Sequence, residues 1–174
     1  DKRIHMAYSF DFMTKQYSAD HIRGVVTRMQ ERGGTGWPCW AFSNHDVPRV
    51  VTRWGQGSES GPLLAAILTS LRGSSCLYQG EELALPEAVV PFEQLQDPFG
   101  IRMWPDYKGR DGCRTPMPWD ASQSYAGFST VKTWLPLPQE HIERAVSVQS
   151  AASHSALKHI STFLNWRRAQ PALI

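Results

Sequence analysis

Gly36-Trp37-Pro38-Cys39-Trp40-Ala41-Phe42-Ser43-Asn44-His45-Asp46 is the stretch on which the fold turns. Trp37 to Phe42 is an apolar run too short for a helix. It is bounded by Gly36 before it and by the polar Ser43-Asn44-His45-Asp46 after it. Such a run reads as a buried strand whose carboxyl end opens into a polar loop.

Working upstream, Ile22, Val25, Val26 and Met29 fall at the i, i+3, i+4, i+7 spacing of one helix face. Ser18 or Asp20 can cap that helix and Gly33-Gly34 can end it. Before it, Ile4 to Phe12 mixes aromatic and aliphatic residues and predicts a second buried strand. Downstream, a helix is expected from about Ser60, with Pro62 in its first turn, Leu63, Ile67 and Leu71 along one face, and Gly73 as its stop. Ser75 to Tyr78 is a third short strand, closed by Gln79-Gly80-Glu81-Glu82. A Pro- and Gly-rich stretch from Leu85 to Pro138 follows, whose aromatic content argues for an ordered loop. Ala156 to Ala169 is amphipathic, with Leu157, Ile160 and Leu164 on one side, until Pro171 stops it.

Strand, helix, strand, helix, strand, long loop, helix is the order of repeated βα units on a parallel sheet. A doubly wound sheet and part of a (β/α)8 barrel both fit, and no Gly-x-Gly-x-x-Gly supports a dinucleotide fold. In either, the site lies past the carboxyl ends of the strands, which makes Asp11, His45, Asp46, Glu81 and Glu82 the first candidates.

Composition bounds the function. A net charge of +2, with no basic run longer than Arg167-Arg168, argues against nucleic acid as the main partner. Seven Trp, seven Phe and five Tyr lean toward a carbohydrate ligand, although core packing accounts for most of them. Three cysteines without metal-ligand spacing point to free thiols and a reduced, cytoplasmic setting, with Cys39 and Cys76 buried in strands. The Leu63 to Leu71 run is too short to cross a membrane. The chain opens straight into an apolar segment and ends in Pro171-Ala172-Leu173-Ile174, so it is expected to be a piece of something longer.

Three segments carry chemistry. Asn44-His45-Asp46 pairs a carboxylate with an imidazole, which can grip vicinal hydroxyls, but it serves equally as a turn or helix cap. Gly109-Arg110-Asp111-Gly112-Cys113-Arg114-Thr115-Pro116-Met117-Pro118-Trp119-Asp120 can form a rigid polar rim, or a loop in which Arg114 and an aspartate only hold each other. In Tyr78-Gln79-Gly80-Glu81-Glu82-Leu83, one of the two carboxylates is expected to tie down an arginine such as Arg49.

In order and wording, these segments resemble glycoside hydrolase family 13, in its α-glucosidase and oligo-1,6-glucosidase branch. Phe42-Ser43-Asn44-His45-Asp46-Val47-Pro48-Arg49 is similar to that family's segment at barrel strand seven, Tyr78 to Leu83 to its segment at strand eight, and Gly109 to Asp120 to a loop of that branch. The likeness runs over the whole chain.

The resemblance implies the last three βα units, strands six to eight, of a (β/α)8 TIM barrel. Residues 1–174 would be a partial catalytic domain, with residues 84–138 as a long loop shaping the substrate site. It implies a retaining glycosidase for terminal α-glucosidic bonds of small oligosaccharides of maltose, isomaltose or sucrose type. Asp46 would stabilise the transition state, His45 would bond the same sugar hydroxyls, and Arg114 would recognise the non-reducing-end glucose. Arg49, Glu81 and Trp119 would support them, with no cofactor or metal in this segment. The nucleophile and the general acid, about 5 Å apart in retaining enzymes, belong to the family's strands four and five. The chain alone is therefore expected to be inactive without the remainder of its barrel. A non-catalytic relative such as a transporter heavy subunit, a sucrose isomerase and a transglucosylase are the alternatives.

Overall fold

The parallel sheet is present, with shorter strands than the apolar runs suggest. The computed structural model describes residues 5–33 and 36–173. Strands β1 (Met6–Tyr8), β2 (Trp37–Trp40) and β3 (Ser74–Ser75) are all parallel and lie in the order β1-β2-β3. Their register aligns Tyr8 with Cys39 and Cys39 with Ser74. Ile4, placed in the first strand by its sequence, lies outside the described residues.

Helix α1 (Ala19–Gly33) connects β1 to β2. Ser18 is its cap, accepting from the His21 amide at 3.0 Å. The expected stop at Gly34 lies outside the described residues. Between β2 and β3 come a short helix α2 (Val50–Arg53), which the sequence did not announce, and α3 (Gly61–Ser70). The buried face of α3 is Leu64, Ala65, Leu68 and Thr69, whereas Leu63 is exposed. Of the expected Leu63–Ile67–Leu71 stripe, Ile67 and Leu71 are partly buried against the core and only Leu63 is corrected: in a helix apolar nearly throughout, neighbouring stripes read alike and only packing selects one. Phe12, Val25, Trp40, Phe42, Val50, Val51, Trp54, Leu64 and Leu68 form the main core, with the Phe12 and Phe42 rings edge-to-face at 5.2 Å.

Helices cover one face of the sheet at β2 and β3. Trp40 packs into the main core and Ser75 Oγ donates to Leu68 of α3, so these residues face the helices. By strand alternation, Met6, Tyr8, Trp37, Cys39 and Ser74 point the other way, and Cys76 follows Ser74. Every residue of β1 is exposed, as are Trp37 and Cys76. Two expectations are corrected here: β1 is not buried, and of the two strand cysteines only Cys39 is enclosed.

After β3 the chain runs through the long irregular segment, interrupted by α4 (Pro98–Arg102), before α5 (Gln139–Ile142), α6 (Val146–Ala151) and α7 (Ala156–Arg167). The segment is pinned rather than loose. His141 of α5 is fully buried and bonds the Pro86 carbonyl through Nε2 at 2.9 Å and the Thr115 hydroxyl through Nδ1 at 3.3 Å. Burial pushes its pKa down to about 4, so it is neutral: Nε2 donates to the carbonyl and Nδ1 accepts from the hydroxyl. Ser155 caps α7, which lies against α3 and α6.

Candidate sugar site at the carboxyl end of the sheet

Arg49 brings the three sequence segments together. It follows the polar loop of β2, is 1% exposed, and reaches two other segments through their main chains. Its Nη1 donates to the Gln79 carbonyl at 2.6 Å and its Nη2 to the Cys113 carbonyl at 3.2 Å. The Tyr78 hydroxyl donates to that same Cys113 oxygen at 3.0 Å, and the guanidinium lies 5.5 Å from the Tyr78 ring centroid. Gly80 makes the approach possible: its φ is +88°, and a Cβ there would lie 2.7 Å from Arg49 Nη1.

Arg49 is not tied to either glutamate of the Glu81-Glu82 pair, which corrects that expectation. Glu87 accepts from the Arg49 amide at 2.8 Å. Glu81 and Glu82 instead accept from the amides of Tyr78 and Gly80, at 2.9 and 2.8 Å. The sharp turn after β3 exposes more amides than its own carbonyls can satisfy, and these carboxylates fill the gap. Glu81 Oε1 is sealed and without a partner, and burial pushes the Glu81 pKa up to about 7.

With Cys113 fixed, the next residue, Arg114, is delivered to the Asn44–Asp46 loop. Its Nε donates to the His45 carbonyl at 2.8 Å and its Nη2 to Asp46 Oδ1 at 3.2 Å. Asp46 is held from below by an Asx turn, its amide donating to Asn44 Oδ1 at 2.8 Å. The turn and the site are therefore the same object. Arg114 pairs with Asp46 across 68 positions of chain, not with an aspartate of its own loop. His45 Nε2 lies 3.4 Å from Asp46 Oδ2, and both side chains remain open to solvent, at 67% and 47% exposure.

A second guanidinium joins them. Arg110 Nη1 donates to Asp46 Oδ1 at 3.1 Å, while its Nε and Nη2 grip the enclosed Asp97 at 2.8 and 3.1 Å. Those bonds hold the Asp97 carboxyl down to about 2. Asp97 was not anticipated. Its only signal was Asp97-Pro98, the start of a short helix, in which Asp97 Oδ1 accepts from the Phe99 amide. Its partner thirteen positions on was not legible.

The remaining candidates stand apart. Asp11 accepts from the Ser9 hydroxyl at 3.0 Å. Trp119 is half exposed, its backbone bonded to Ala126 and Ser147, and no hydrogen bond among the described residues joins it to the Asp46 cluster. Among the described residues, no three His, Cys, Asp or Glu side chains converge as a metal site. No described helix is long and apolar enough to cross a membrane.

An open carboxylate, an imidazole and paired guanidiniums past the strand ends of a parallel βα sheet define an α/β protein of the kind whose site lies at the carboxyl ends of its strands. A family model described as alpha amylase, catalytic domain, matches residues 2–174, and the chain belongs to that family of (β/α)8 glycosidases. A probable alpha-glucosidase of Rhizobium meliloti (strain 1021) is 49% identical over 176 residues, covering 98% of this chain and 32% of the relative. An oligo-1,6-glucosidase of Heyndrickxia coagulans is 35% identical over 153 residues, covering 74% of this chain and 27% of the relative. The solved alpha-glucosyl transfer enzyme XgtA superposes with a TM-score of 0.93 at 55% identity, over 98% of this chain and 32% of its own. The isomaltulose synthase of Klebsiella sp. LX3, at 23% identity and a TM-score of 0.83 over 98% of this chain and 37% of its own, shows the fold alone. The chain spans about a third of the length of the relatives it matches.

Proposed function

We propose that this chain is strands six to eight of the barrel of a retaining α-glucosidase, which cleaves terminal α-glucosidic bonds of small oligosaccharides in the cytoplasm. One observation carries the reading: His45, Asp46 and Arg114, from segments far apart in sequence, converge past the carboxyl ends of parallel strands. Asp46 accepts from the hydroxyls of the glucose being cleaved and stabilises the positive charge that develops on its ring. His45 bonds the same sugar, and Arg114 marks its non-reducing end. Arg49 and Glu81 support the site by holding the loops, residues 84–138 shape its rim, and Trp119 lies farther out on that rim. The chemistry draws no cofactor from this segment.

The one-sided sheet supports the partial-barrel part of the reading. Parallel sheets are covered on both faces, and the bare Met6, Tyr8, Trp37 and Cys76 face is what a barrel interior would leave when its other strands are missing. Those strands supply the nucleophile and the general acid, so the isolated chain is inactive. The likeness to XgtA favours a second reading at the same site, transfer of the glucosyl group to an acceptor instead of water.

The test uses the intact protein with p-nitrophenyl α-D-glucopyranoside and maltose. Asp46→Asn is expected to lower kcat by about 10²- to 10³-fold, the loss typical of removing one preorganised electrostatic group. Undiminished turnover would reduce Asp46 to a loop cap.

A further inference from the structure

The nitrogens of Arg110 are divided between two carboxylates in a way that assigns each a task. Nε and Nη2 face the two oxygens of Asp97, whose side chain is completely enclosed. That bidentate contact fixes the plane of the guanidinium as well as its place. Nη1 is left pointing outward, at Asp46 Oδ1. Arg114 Nη2 donates to the same oxygen.

Asp97 is itself locked. Its Oδ2 also accepts from the Arg110 amide at 2.8 Å, and its own amide, with that of Gln96, donates to Asp111 Oδ2 at 2.8 and 2.6 Å. Helix α4 and the loop that returns past it touch through glycines: at Gly109, where φ is +78°, a Cβ would lie 2.8 Å from the Gly100 Cα. The Phe99 ring lies 5.5 Å from the Arg110 guanidinium, on the exposed side of the loop.

We propose that Asp97 and Arg110 form a positioning latch for Asp46: Asp97 orients Arg110, Arg110 and Arg114 pin Oδ1, and Oδ2 is the oxygen presented to the sugar. The inference rests on the α-glucosidase reading of the site. It extends it by naming two residues outside the His45, Asp46 and Arg114 set and by separating the anchored carboxylate oxygen from the working one. A carboxylate free to rotate about its Cβ–Cγ bond would reach the reacting sugar in many orientations, and most of these contribute nothing to the transition state.

The intact protein tests this through steady-state kinetics of p-nitrophenyl α-D-glucopyranoside hydrolysis, with thermal melts to verify folding. Arg110→Lys keeps a cation beside Asp97 and so preserves the fold, but it cannot bridge two carboxylates in one plane. It is expected to lower kcat about 10- to 100-fold, as loss of a supporting hydrogen-bond partner around a reaction centre does, with KM changed by less than threefold. Arg110→Ala is expected to lose at least as much and to recover part of its kcat on addition of guanidinium ion, a rescue that a merely structural role would not show. Asp97→Asn combined with Arg110→Ala removes the buried charge with its partner, and is expected to be no worse in kcat than Arg110→Ala alone. Wild-type kcat in Arg110→Lys, or multiplicative losses in the double variant, would overturn the latch. Failure of the parent reading looks different: the wild type would not hydrolyse the glucoside, or Asp46→Asn would leave its turnover intact.

Discussion

Replacing Glu81 by glutamine is expected to flatten the stability of the protein between pH 5 and pH 8. The residue as a whole is only half-buried, yet its Oε1 is sealed from solvent and unpartnered, so a negative charge there is poorly solvated. Burial raises its pKa from 4.5 to about 7, against the opposing pull of the Tyr78 amide, Ser43, Arg49 and Arg53. A carboxyl whose folded pKa lies above its unfolded one contributes fully below pH 4.5 and loses that contribution as pH rises toward 7. At about 1.36 kcal/mol per pH unit, the gap from 4.5 to about 7 amounts to about 3 kcal/mol, lost by pH 8. Glutamine keeps the shape and can still accept from the Tyr78 amide, but it does not titrate. Its extra N–H is an offset independent of pH. Glu87, raised to about 6 chiefly by burial, remains in both proteins and cancels.

The assay is urea unfolding of the intact wild type and Glu81→Gln at pH 5 and pH 8, read as the difference between the two differences. Part of the roughly 3 kcal/mol is already gone at pH 5, so the variant should lose about 2 to 3 kcal/mol less than the wild type across that interval. Parallel losses in the two proteins would show that Glu81 is solvated when charged and that the reasoning from its burial is wrong.

Leu68→Ala removes a side chain at 0% exposure between α3 and the sheet, and should cost about 3 kcal/mol in urea unfolding by opening a cavity. Arg114→Ala should raise KM for maltose while leaving the thermal midpoint nearly unchanged; loss of the fold instead would mean that its bonds to His45 and Asp46 serve only the loops. Iodoacetamide at neutral pH, followed by mass spectrometry, should label the isolated chain once, at exposed Cys76, because Cys39 and Cys113 are enclosed and burial pushes Cys113 up to about 12. In the intact protein Cys76 should be protected by the remaining barrel strands, and equal labelling there would count against the partial-barrel reading.

The alternation of elements was legible because each signal is local. Short apolar runs, the Ser18 cap and Pro62 all act within one turn of chain. The burial of β1 was not, since it needs a covering layer and nothing in Met6–Tyr8 reports whether the described residues provide one. His45, Asp46 and Arg114, singled out from separate segments, do converge. Their partner Arg110 stood in plain view in the same loop, but its importance depends on Asp97, and that pairing exists only once Gly100 and Gly109 bring α4 and the returning loop into contact. The role of Arg49 was misjudged for a related reason. Sequence suggests carboxylates for an arginine, whereas the turns around Tyr78 and Cys113 offer carbonyls, which have no side-chain signature.

That choice of acceptor shapes how this site can diverge. Arg49 bonds to the carbonyls of residues 79 and 113, and a carbonyl is the same whichever side chain hangs from it. The contact itself places no demand on the side chains at these positions, provided the backbone keeps its course and residue 80 stays a glycine, although the enclosed Cys113 is held to a small side chain by its packing. Between them, the peripheral loop can lengthen or shorten only outside the stretch that joins Asp97 to Arg110, because both of its roots are bolted to one arginine and that pair holds Asp46. Exchanging this rim with that of a relative thus becomes a matter of matching two carbonyl positions and the Asp97–Arg110 pair, not of matching the rest of the sequence.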